Sequence, residues 1–168
     1  MDSEAKQQNY KLAAKLLAEQ NFAAAVFAGF VAAIWSAGIY GIAKSLSESL
    51  YYSILAAVLG VAIGITMQIL GRGIDRKFAL AASATALLGC MLGNMFAVVV
   101  NVARATVVSP FIVLSNTTYS ELYRWVFTDL RFADIMFGVI GIGGAAYFAR
   151  RPLTREEGLA LHFHRMKR

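Results

Sequence analysis

Asn94 places a primary amide near the middle of a long apolar run, Phe78–Val102. Away from water such a group needs a hydrogen-bond partner. It serves either a pore or ligand, or a neighbouring helix through a bond worth about 0.6–2 kcal/mol, and the helix is the expected partner. Cys90 is the chain's one cysteine and has no His, Lys or Arg nearby in sequence to lower its pKa. It reads as a small apolar packer rather than a reactive thiol. His162 and His164 lie two apart around Phe163, whereas zinc-binding helices place histidines four apart, and no Cys or third His accompanies them. Both are expected on the surface. No Asp, Glu, Lys or Arg falls inside the cores of the apolar runs, so a proton or ion path has no evident carrier. Without paired carboxylates, a Ser/His pair or metal ligands in any run, the chain is expected to be non-enzymatic, with no cofactor and no metal.

The elements that must position these groups are helices in hydrocarbon. Hydrophobic residues make up 58% and charged residues 15% of the chain, against about 45–50% and 25% in soluble domains. A bilayer core about 30 Å thick takes about 20 apolar helical residues to cross. Four runs qualify: 22–42, 51–70, 78–102 and 133–149, the third long enough to tilt or extend past the core. The fourth is the shortest, with a re-entrant segment as the alternative to a crossing, and carries Asp134 in its first turn, where a carboxylate can cap the helix and stay near headgroup water. Barrel strands alternate polar and apolar residues over about ten positions; these runs are apolar throughout and twice as long, which favours helices. The first run is too long, and its flank too mixed in charge (Asp2, Glu4, Lys6, Lys11, Lys15), for a cleaved signal peptide. The expected fold class is therefore all-α, a polytopic membrane protein with a four-helix bundle over 22–149, an amphipathic N-terminal segment over 1–21 and a basic tail over 150–168.

Charge sets the orientation. Twelve of the sixteen Lys and Arg residues fall on one side of a four-span chain: Lys6, Lys11 and Lys15, then Arg72, Arg76 and Lys77, then Arg150, Arg151, Arg155, Arg165, Lys167 and Arg168. Lys44, Arg104, Arg124 and Arg131 fall on the other. Both termini are expected to be cytoplasmic. The net charge of +6 and pI ≈ 9.7 are accounted for by this asymmetry, and no nucleic-acid partner is expected.

Small residues four apart let helix backbones approach closely in lipid. Stripes of this kind occur in every run: Ala25, Gly29, Ala33, Ala37; Ala56, Gly60, Gly64; Ala81, Thr85, Gly89, Gly93, Ala97, Asn101; and Gly141, Ala145 beside Gly138 and Gly144. Gly60, Gly64, Gly89 and Gly93, with Asn94, are the candidate packing positions. In the tail, Thr154 and Glu157 fit a capping box, and Leu159, Phe163 and Met166 then share a face suited to a membrane interface held by anionic lipid. The alternative is a frayed charged tail. The 103–132 connection carries Pro110, Phe111, Tyr119, Tyr123, Trp125 and Phe127, suited to the outer interface, to capping the bundle or to a partner.

The stretch GITMQILGRGIDRKFALAASATALLGCMLGN, from Gly64 to Asn94, resembles the core of a family of uncharacterised bacterial four-helix membrane proteins. Ala33-Ile34-Trp35 and Asp134-Ile135-Met136-Phe137 are similar to the same pattern, which covers roughly residues 22–148. Many relatives carry an added soluble part such as a zinc ribbon, and no such part is expected from the residues here. The resemblance implies a four-helix fold in a bacterial inner membrane and brings no functional residue with it. The expected role is a scaffold or accessory subunit presenting Arg72, Asp75, Arg76 and Lys77 on its cytoplasmic loop. Its expected partners are the bilayer, anionic lipid at the C-terminal tail, and a second copy or another membrane protein. The alternative is an oligomeric channel or small-solute transporter with Asn94, Asn101 and Thr85 along a polar path.

Overall fold

The computed structural model describes residues 3–47, 51–128 and 130–166, so Asp2, Lys167 and Arg168 of the charge pattern lie outside the described residues. Those residues form eight α-helices and no strand: α1 Ser3–Ala18, α2 Phe22–Leu46, α3 Tyr51–Gly71, α4 Arg76–Thr106, α5 Pro110–Asn116, α6 Tyr119–Phe127, α7 Phe132–Phe148 and α8 Arg155–Met166. Three of them, α2, α3 and α4, are long and apolar enough to cross a membrane; α7 is apolar but only 17 residues long.

The helices α2, α3, α7 and α4 pack in a ring, each against the next, with α3 also touching α4 across it. Direction alternates along the chain, as two backbone bonds at one end show. Asn21 N–H at the start of α2 donates to Gly71 O at the end of α3 (2.9 Å), and Arg151 N–H, just past α7, donates to Gly73 O just before α4 (2.8 Å). Asn21 also caps α2 by accepting from Ala24 N–H, satisfying one of the donors that a helix start leaves without an internal partner.

The ring has small residues inside and large ones outside. Ala25, Ala33, Ala82 and Ala145 are fully or almost fully buried, while Phe27 and Trp35 are each 72% exposed, among many other exposed aliphatic and aromatic side chains. Water would penalise that surface by about 25 cal/mol per Å²; hydrocarbon does not. The small residues bring backbones together. A Cβ added at Gly60 would stand 2.4 Å from Gly141 O, one at Gly64 2.6 Å from Ala145 O, and one at Gly141 2.5 Å from Ala56 O. Thus α3 and α7 touch backbone to backbone along the Gly60 and Gly64 stripe. The second motif is looser. At Gly89 an added Cβ meets only ordinary contacts, Ala33 and Ile63 at 3.5 Å, and at Gly93 it meets the Tyr40 ring at 2.9 Å.

At the terminal end, α1 and α8 pack on each other through Ala13, Leu16, Ala160 and Leu161, with Ile74 of the 72–75 connection against them. Thr154 and Glu157 form the anticipated capping box of α8. Leu159 and Met166 remain exposed on its other side. At the opposite, loop end, α4 outruns its neighbours, and α5 and α6 fold back on its last turns around Val99, Ala103, Val113 and Trp125. The 103–132 connection is therefore mostly helical. Ser109 with Pro110 starts α5, and Thr118 with Glu121 starts α6, both standard start signals.

Candidate functional site

Four helices bring polar side chains to one point at the loop end. Asp134, in the first turn of α7, is 6% exposed. Its Oδ1 accepts from Tyr40 Oη of α2 (3.0 Å) and Ser53 Oγ of α3 (2.7 Å). Its Oδ2 accepts from Lys44 Nζ of α2 (2.8 Å) and from its own cap, Arg131 N–H (3.2 Å). A carboxylate has about four lone-pair sites, so this one is saturated. Lys44 Nζ also donates to Asn94 Oδ1 of α4 at 2.6 Å. The Asn94 amide nitrogen in turn donates to Val126 O (2.7 Å), Thr128 O (2.8 Å) and, more weakly, Trp125 O (3.3 Å). These are carbonyls at the end of α6, where a helix runs out of internal donors. Asn94 thus bonds a neighbouring long helix, α2, through its oxygen, as anticipated, and caps the short helix α6 through its nitrogen.

The two charges form a buried ion pair, with side chains 8% and 3% exposed. Taking two ions out of water is costly, and only direct pairing with the remaining lone pairs satisfied offsets it. That condition is met here. The Tyr52 ring adds a face near both cations, 5.8 Å from Lys44 Nζ and 6.0 Å from the Arg131 guanidinium.

The sequence placed both members of this pair at water: Lys44 past the end of the first run and Asp134 near headgroups. Asp134 does cap α7, but its carboxylate is buried rather than hydrated. The pairing depends on α2 ending beside the start of α7, with the two residues 90 apart in sequence. Near the pair, a cleft of about 360 Å³ is lined by Lys44, Ser47, Tyr52, Asn101 and Arg131, among others. Between α2, α3 and α4, by contrast, a cavity of only about 20 Å³ is lined by Ser36, Tyr40, Gly60, Gly89 and Cys90. That is room for about one water.

The other sequence candidates fall elsewhere. Thr85 Oγ1 donates back to Ala81 O within α4, Asn94 is bonded to Lys44 and the end of α6, and Asn101 lines the cleft. Cys90 is half-buried beside the small cavity. Arg72, Arg76 and Lys77 are exposed at the terminal end. Arg72 reaches Glu19 at 3.5 Å, and Lys77 stands 4.0 Å from Asp75, which caps α4. His162 is exposed as anticipated, whereas His164 is half-buried edge-on to Tyr10. Tyr40 and Ser53 were not singled out beforehand; each is a polar residue within an apolar run, and that was the available signal. No known family model, curated protein or solved structure matches this chain.

Proposed function

We infer that the chain is a non-enzymatic scaffold or accessory subunit of a membrane assembly. One observation carries this reading: the groups able to do chemistry are spent on one another. Asp134 accepts four bonds, Lys44 is shared between Asp134 and Asn94, and the Asn94 amide is used on backbone carbonyls. Such a cluster fixes helix positions and leaves no poised nucleophile or base. We further propose four crossings of a bacterial inner membrane with both termini cytoplasmic, and membership of the four-helix family that the Gly64–Asn94 stretch resembles. Although α7 spans only about 25 Å, it lies along α3 with backbones touching at Gly60, Gly64 and Gly141, so it crosses where α3 crosses. The exposed cations Arg72, Arg76 and Lys77 beside the α1–α8 pair would present the partner-facing surface.

Affinity purification of the tagged full-length chain in mild detergent, after cross-linking in native membranes, tests the assembly reading. A defined, stoichiometric membrane partner is expected; a solitary monomer under every condition overturns it. The alternative of an oligomeric channel or transporter draws on the polar cleft beside Lys44 and Asn101. With room for only about one water between α2, α3 and α4, conduction would run between copies. Liposome flux that Asn94→Leu reduces would favour it, and absence of flux removes it.

A further inference from the structure

The terminal end of the molecule holds a cation of a different kind from Lys44. After α7 and its cap Ala149, the chain turns through 150–154 as a strap. It is pinned by Arg151 N–H on Gly73 O and by Gln68 Nε2 on Arg150 O at 3.1 Å. The strap walls a groove of about 550 Å³ lined by the apolar Tyr147, Phe148, Pro152 and Leu153 and by the polar Gln68, Arg150 and Arg151. A second hollow of about 250 Å³ shares Ile74 and Leu153 with it and continues toward His162 of α8. The two arginines of the strap differ. Arg151 is held by Glu157 at 2.8 Å and Glu19 at 3.9 Å. Arg150 is exposed and pairs with no carboxylate among the described residues.

Arg150 follows directly on the last apolar turn of α7, the level at which a membrane helix meets headgroups. Tyr147, 72% exposed on that turn, is the type of ring that settles at this depth. An unneutralised cation at the boundary, above an aromatic and aliphatic wall, matches the two halves of a phospholipid. A soluble phosphate would use the cation alone and gain nothing from Tyr147, Phe148 and Leu153. We propose that this groove holds one anionic phospholipid of the adjoining leaflet, its phosphate on Arg150 and an acyl chain along Tyr147 and Phe148. The assignment rests on the chain crossing a bilayer and not on which assembly it serves.

Native mass spectrometry of the full-length protein, supplied with phosphatidylglycerol and phosphatidylcholine at equal concentration, tests it. Wild type is expected to retain one phosphatidylglycerol in preference to phosphatidylcholine. Arg150→Gln lowers that retention about fivefold, the factor for one cation at a charged membrane surface. Arg155→Gln, exposed on α8 outside the groove, leaves it unchanged. Equal retention of the two lipids, or equal losses in the two variants, overturns the proposal. So does displacement of bound lipid by glycerol phosphate at equal concentration, which would reassign the site to a soluble phosphate. Extraction of the protein by alkaline carbonate would defeat the lipid site and the membrane reading together, whereas a solitary monomer in the purification would leave the lipid site intact.

Discussion

Gly141 and Gly143 lie two residues apart on α7, and the same substitution at each is expected to move stability in opposite directions. A Cβ at Gly141 would stand 2.5 Å from Ala56 O, and one at its partner Gly60 2.4 Å from Gly141 O, while at Gly143 nothing lies within 4 Å. Ordinary contact begins at 3.4 Å, so from 2.4 Å the helices must part by about 1 Å. The obstacle is backbone, which cannot rotate away. A gap of that size forfeits a quarter to a half of each dispersion well along the seam, and overpacking of this kind costs about 1–3 kcal/mol. Against this, alanine is favoured over glycine in a helix by up to about 1 kcal/mol. Because the obstacle is backbone, the upper part of that range, about 2–3 kcal/mol, applies, so Gly141→Ala and Gly60→Ala should lose about 1–2 kcal/mol net, and Gly143→Ala should be neutral or gain up to about 1 kcal/mol. Gly89→Ala, in the looser GxxxG, should resemble Gly143→Ala. Reversible denaturation in mild detergent, followed by tryptophan fluorescence, measures all four. Equal losses at Gly141 and Gly143, or wild-type stability of Gly60→Ala, would refute the backbone contact between α3 and α7.

Lys44→Met strands Asp134 as a buried unpaired carboxylate and should cost about 3–5 kcal/mol; adding Asp134→Leu should restore most of it, and a double-mutant cycle in the same assay reads the coupling. Asn94→Leu removes the amide from the end of α6 together with an acceptor of Lys44, so limited proteolysis should cut sooner within 107–131, with helical circular dichroism nearly unchanged. Glu121 is held below its ordinary value of 4.5 by the bond from Thr118 N–H and by the Thr118 hydroxyl. A depressed folded-state pKa means that its support of α6 is present above the unfolded value and is lost as pH falls through the folded one. Amide exchange in α6 should thus quicken only below about pH 4.5, and Glu121→Gln should abolish that step.

Much of the frame was legible in the residues because uninterrupted apolar runs and small-residue stripes are local signals. Gly60 and Gly64 announced a close approach, and Gly141 and Ala145 supplied its other half. The two GxxxG motifs read alike in sequence, yet only one is a backbone contact, since spacing does not say what lies opposite. The polar cluster was harder to see. Lys44 and Asp134 each sit at the edge of a run, where water is the default partner, and their pairing depends on which helix ends are neighbours. Asn94 needs a partner by its chemistry alone, but its partner α6 is marked in sequence only by Thr118 and Glu121 at its start. The α1–α8 pair had the weakest signal, because its contact side is little more than Ala13, Leu16, Ala160 and Leu161.

The short connection at 71–76 is a mechanical junction. Gly71 closes α3 and holds Asn21 at the head of α2; Gly73 holds Arg151 just beyond α7; Asp75 opens α4. Six residues thereby knot together one extremity of every long rod in the ring. A body that gripped either tail would pull on all four rods through this single knot, and any tug there would be felt at once around the whole circumference.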